Sequence, residues 1–134
     1  MRLLVLTALI SFFTTGLSGQ NLIGYKGNEI KKFMKEQRKE MNLNKVKNNS
    51  FAYLKYSDSS ESQTLLLFLD TDSICHSIRI ICDPGIKGQK INEFNSMYRK
   101  RGENSWIDSH NGKNYIIELK DEKFTSVFSM KLLE

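Results

Sequence analysis

The sequence predicts an α+β chain of two helix-plus-three-strand units, in the order αβββ-αβββ, with the helices packed on antiparallel sheet. Three observations carry that expectation. Apolar residues recur at helical spacing in two stretches, beginning near Asn28 and near Gly88. Six further stretches are rich in β-branched, aliphatic and aromatic residues and are bounded by Asn, Asp, Ser and Gly. Between the two sets, Asp83-Pro84-Gly85 breaks the chain. The 134 residues are 40% hydrophobic and 26% charged, with 8 Gly and 1 Pro, which excludes collagen-like, low-complexity and globally disordered chains.

Residues 1–19 read as an export signal rather than a structural element. Met1-Arg2 supplies a positive start, Leu3 to Phe13 is an uncharged apolar run, and Thr14 to Gly19 is small and polar. The run is shorter than the ~20 residues a membrane-spanning helix needs, and no transmembrane segment is expected in the mature chain. Cleavage fits after Ser18 or after Gly19. An exported protein of the periplasm or cell exterior is implied, with 20–134 as one α+β domain that divides into possible tandem halves, 20–83 and 84–134.

Asn28 can cap a first helix from about Glu29 to Met41, with Ile30, Phe33, Met34 and Met41 on its apolar stripe. Asn42 to Ser50 is a polar connector. Strands are expected over Phe51 to Ser57, Ser62 to Asp70 and Ser73 to Cys82, the middle one apolar on both faces and so interior to its sheet. Gly88 opens the second helix, which carries Ile91, Phe94, Met97 and Tyr98 and ends near Gly102. Ser105 to Ser109, Lys113 to Lys120 and Lys123 to Lys131 complete the strands, the first two joined by an Asn111-Gly112 hairpin turn.

The helices superpose at an offset of 61, Gly27-x-x-Ile30-x-x-Phe33 on Gly88-x-x-Ile91-x-x-Phe94, with Arg38-Lys39 on Arg99-Lys100. This layout resembles the tandem helix-plus-antiparallel-sheet scaffold of β-lactamase-inhibitor-type proteins. Those carry two helices and four strands per unit where this sequence shows one and three, and no motif is shared, so no residue role is carried over. As an Asn/Lys-rich exported chain it is also similar to many small envelope proteins of Gram-negative bacteria, a likeness that bears on compartment alone.

Charge is uneven along the chain. From Lys26 to Lys47 eight basic residues stand against Glu29, Glu36 and Glu40, and Arg99-Lys100-Arg101 adds three more. Lys31, Lys35, Arg38, Arg99, Lys100 and Arg101 are therefore candidate anion-binding residues, for an anionic polymer or lipid. Lys32, Glu36 and Glu40 follow one another at four-residue intervals, so a solvated helix face of mixed sign explains the same residues. Stacking aromatics and nucleic-acid motifs are missing from this helix, and no nucleic acid is expected as a partner.

Cys75 and Cys82 are the only cysteines. On one strand a seven-residue offset puts them on opposite faces and about 23 Å apart, beyond the reach of a bridge, so no disulfide is expected. Their spacing is equally poor for a metal, and Asp70-x-Asp72 lacks the later ligands of a calcium loop; no metal and no cofactor is implied. Hydrolase motifs do not occur. His76 alternates with Ile74, Ile78 and Ile80, and His110 precedes the Asn111-Gly112 turn. Asn48-Asn49-Ser50 fits a glycosylation pattern that matters only in a eukaryote.

Sheet aromatics remain. Tyr53, His76, Trp106 and Tyr115 are candidate ligand-binding residues on a sheet face. The function these readings support is a non-enzymatic module of the bacterial envelope that binds another protein or a small ligand. The alternatives are a small secreted hydrolase working through His76, or an electrostatic binder using the first helix.

Overall fold

Helix α1 (Gly27–Gln37) and helix α2 (Pro84–Met97) each precede four strands. The computed structural model describes residues 21–44 and 52–133, so the expected export signal and Asn48-Asn49-Ser50 lie outside the described residues. The strands are β1 (Met41–Asn44), β2 (Tyr53–Asp58), β3 (Gln63–Leu69), β4 (Cys75–Cys82), β5 (Arg99–Gly102), β6 (Ser105–His110), β7 (Lys113–Asp121) and β8 (Ser126–Leu132). All eight belong to one antiparallel sheet in the order β1-β2-β3-β4-β8-β7-β6-β5. The expected pair of helix-plus-three-strand units is thus corrected: a single eight-stranded sheet dominates, and β4 pairs with β8 across its middle.

The two unforeseen strands are the outermost ones, and their composition explains why they were missed. β1 buries only Met41, and all four residues of β5 are exposed. β1, Met-Asn-Leu-Asn, alternates over only four residues and so merges with the preceding helix stripe, whereas β5 has no apolar residue and its charges guard an unpaired edge against further strands. The sequence places Met41 on the apolar stripe of the first helix. In fact α1 stops at Gln37, where the Arg38 N–H donates to the Met34 carbonyl, and the Met41 N–H then closes a turn onto the Arg38 carbonyl.

The helix starts also move. Lys26, not Asn28, is the N-cap of α1, and its N–H donates to Glu29 Oε1 at 2.9 Å. Pro84 sits in the first turn of α2 after the extended cap Asp83. A proline there gives up no helical hydrogen bond and has the right φ, so Asp83-Pro84 starts the helix instead of breaking the chain. At the Asn111-Gly112 turn both residues have positive φ, 53° and 74°, the geometry of a two-residue hairpin. Phe124, expected on a strand with Phe128 and Met130, lies in the β7–β8 connection and is 73% exposed.

Strand register sorts the side chains into two faces. Leu54, Leu67, Ile78, Met130, Ile117 and Trp106 stand opposite one another in turn from β2 to β6. This row belongs to the side on which Ile30 and Met34 of α1 and Phe94 of α2 join the buried cluster. Phe94 sets its ring edge-on to Phe128 at 5.0 Å and to Trp106 at 5.6 Å. Trp106 is fully buried, and its Nε1–H donates to Asn95 Oδ1 of α2 at 2.8 Å, so the one polar atom of the indole is satisfied.

A bulge in β4 changes the face of its first residues. Phe68 stands opposite Ser77 but Leu69 stands opposite Cys75, so two residues, His76 and Ser77, occupy one step. Cys75 therefore turns to the helix side together with Cys82, and both are buried, free thiols in the same cluster. The expectation that they face opposite ways is corrected by this one extra residue. His76 likewise leaves the face of Ile78 and Ile80.

Candidate binding surface on the open sheet face

The alternate residues of the same strands build the other face. Tyr53, Phe68, Ser77 and Lys131 form one row across β2, β3, β4 and β8, and Lys55, Leu66, Arg79, Ser129 and Glu118 the next, reaching β7. Over the middle of these rows lies an open depression of about 860 Å³, lined by Phe68, His76, Ser77, Arg79, Glu118 and Lys131 among others. Toward the β5 end of the face, Ile107 and Ile116 are buried at 3% and 8% exposure.

Phe68 is the aromatic base of the depression. Tyr53 lies 6.1 Å from its ring, His76 lies 6.5 Å from it, and the Arg79 guanidinium stands 5.7 Å over its centre. The bulge makes this grouping possible, because it brings His76 to the side of Phe68. Stacking on a ring face holds a guanidinium in place and leaves its in-plane donors free for a ligand. Neither Arg79, Lys131 nor Glu118 forms an ion pair among the described residues.

The four aromatic candidates divide between the two faces. His76 lines the depression and Tyr53 stands next to its Phe68 on the same face; Trp106 and Tyr115 are buried on the helix side and have no access to it. The basic candidates are also spread out. Lys31 and Lys35 border a groove on α1 with Lys32, Glu36 and Lys39. Arg38 is held by Glu40 at 2.6 Å, an attraction that outweighs partial burial and leaves the Glu40 carboxyl below its usual range. Arg99, Lys100 and Arg101 line the outermost strand, Lys100 reaching over the Trp106 ring at 5.7 Å. Phe68, Arg79, Glu118 and Lys131 were missed. Pairing of Leu66 with Arg79 and of Phe68 with Ser77 puts Phe68 and Arg79 on one face, a register the sequence does not show, and the bulge, which no sequence feature marks, adds His76 to them.

The imidazoles lack the arrangement a hydrolase uses. His76 Nδ1 meets the neighbouring Ser77 hydroxyl at 3.2 Å, and His110 Nε2 meets the Asn111 side chain at 3.2 Å. Neither ring is oriented by a carboxylate among the described residues, so the Ser77 hydroxyl has no activated base beside it. Groups of His, Cys, Asp and Glu able to hold a metal are also missing among the described residues. Asp70 Oδ1 is already occupied, accepting from the N–H groups of Asp72 and Ile74.

No described helix is long and apolar enough to cross a membrane. Compared with protein families, with curated proteins and with solved structures, the chain gives no match. Its own geometry is therefore the ground for a functional reading.

Proposed function

We propose that the protein is a non-enzymatic binding module of the bacterial envelope, which receives another protein or a ligand on the open face of its sheet. One observation carries the reading: half-buried Phe68 and exposed Arg79 and Lys131, charges without an ion-pair partner among the described residues, share a single depression on the face away from the helices. A surface aromatic under an unpaired arginine is a combination that binding interfaces favour and that an ordinary solvated surface does not need. The volume falls within the range of ligand sites, but the openness of the depression suits a broad contact better than enclosure of a small molecule.

The leader at 1–19 supports export, and with it a partner in the periplasm or outside the cell. Amino-terminal sequencing of the protein from its producing cells tests this part. A chain starting at Gly19 or Gln20 supports it, and a chain starting at Met1 sinks it. For the surface itself, a photo-crosslinking residue is placed at Ser77 in one strain and at Lys35 in another. Discrete adducts from Ser77 and none from Lys35 are expected; the reverse pattern transfers the function to α1.

A further inference from the structure

We propose that the partner of the open face is an acidic protein surface, one that sets several carboxylates around a central basic group. This rests on the binding reading above and adds the chemistry of what is bound. Beside Asp70, which lines the rim of the depression and whose Oδ1 is taken up by the N–H groups of its own turn, Lys55, Arg79, Lys120 and Lys131 all point to this side by strand alternation, with the acid Glu118 among them. None of the six is engaged in an ion pair among the described residues.

Spacing selects the class of partner. With strands ~4.8 Å apart and a rise of ~3.3 Å per residue, Lys55 and Arg79 are separated by about 10 Å and Arg79 and Lys131 by about 8 Å. One small anion cannot meet four cations distributed so widely, whereas carboxylates on a folded surface are commonly spaced at such intervals. Glu118 argues against a uniform polyanion, since a nucleic-acid or polyphosphate strand crossing from Arg79 to Lys120 would pass over that carboxylate. It calls instead for one lysine or arginine on the partner. A second copy of the chain is disfavoured because each is a net cation, +5 over the full sequence and one less without Arg2 of the expected leader, and this face is itself cationic. Within the pattern Arg79 is the anchor, held by Phe68 with Tyr53 and His76 around the ring.

Amide chemical shifts of the native protein, followed with four probes, test the inference. The probes are a peptide of alternating Glu and Leu around one central Lys, the same peptide with Gln in place of Glu, phosphatidylglycerol vesicles, and oligodeoxythymidylate. The Glu peptide is expected to move Phe68, Ser77, Arg79, Ser129 and Lys131, and to lose most of its affinity between about 50 and 300 mM salt. Arg79→Glu and, separately, Lys131→Glu should weaken it at least about tenfold, and Lys35→Glu by less than about threefold. Both substituted positions on the face are exposed, so folding is not at issue. Equal binding of the Gln peptide, or tighter binding of the vesicles or the oligonucleotide at this face, overturns the acidic partner and leaves the binding module standing. A face that none of the four probes moves overturns both.

Discussion

At the residue scale, burial governs the chemistry of the polar and titratable groups outside the depression. Desolvation pushes the Cys75 thiol up from 9.0 to about 11, against a smaller lowering contribution from the Ser77 backbone, and pushes Cys82 in the same direction. A folded value above the unfolded one means that the thiol's contribution to stability is complete below pH 9.0 and is lost as pH rises toward about 11. Thermal denaturation should therefore steepen on the alkaline side through that window, and Cys75→Ala should flatten it. A thiol reagent at pH 8 should label neither cysteine in the native state and both after denaturation.

Lys90 presents the opposite case, a charge retained inside. The residue is 9% exposed and is paired with Glu93 at 3.3 Å. Lys90→Met exchanges a partly desolvated pair for apolar packing and should leave stability unchanged or raise it. Glu93→Gln strands the ammonium and should cost about 1–2 kcal/mol, less than for a fully buried pair because the Glu93 side chain is 34% exposed. Chemical denaturation of the two variants checks the signs.

At the scale of elements, most of the regular structure was legible in the sequence, and its failures have physical causes. The unbroken apolar run from Leu65 to Leu69 and the shared face of Tyr115, Ile117 and Leu119 mark strands, and both strands are flanked by other strands and packed on the helix side. Edge strand β1 alternates over only four residues, too few to stand apart from the helix before it, and β5 has no apolar residue at all. The helix alignment at 61 matches residue types, but the inward positions are Ile30 and Met34 in α1 and Lys90 and Phe94 in α2, a separation of 60. The match of residue types at 61 therefore does not superpose the buried positions of the two helices. Phe94 then holds α2 to the sheet through Trp106 and Phe128, and Phe94→Ala should cost about 3–5 kcal/mol, since two large rings lose their shared neighbour. The denaturation midpoint measures it. A cost below about 1 kcal/mol would show that the helix is held elsewhere.

At the scale of the whole molecule, one sheet of eight strands follows from the pairing of β4 with β8, a long-range contact that local patterns cannot announce. That pairing also creates the candidate surface. Arg79 of β4 comes beside Ser129 of β8, and Ser129 beside Glu118 of β7, so residues from both ends of the chain meet on one face. Tyr53 and His76 could be proposed from the sequence as surface groups. Their association with Phe68 and Arg79 required the bulge and the register, and the burial of Trp106 and Tyr115 required knowing which face the helices take. The asymmetry of the sheet, packed on one side and polar-aromatic on the other, is the basis of the functional account.

Hydroxyl-radical footprinting of the protein, purified and then inside intact producing cells, measures that asymmetry in use. Tyr53, Phe68 and His76 should be oxidised in the purified protein and protected in the cell, while Phe124, 73% exposed and remote from the depression, should be oxidised equally in both. Equal oxidation of all four side chains in the two settings would contradict the claim that the open face is where this protein meets its partner.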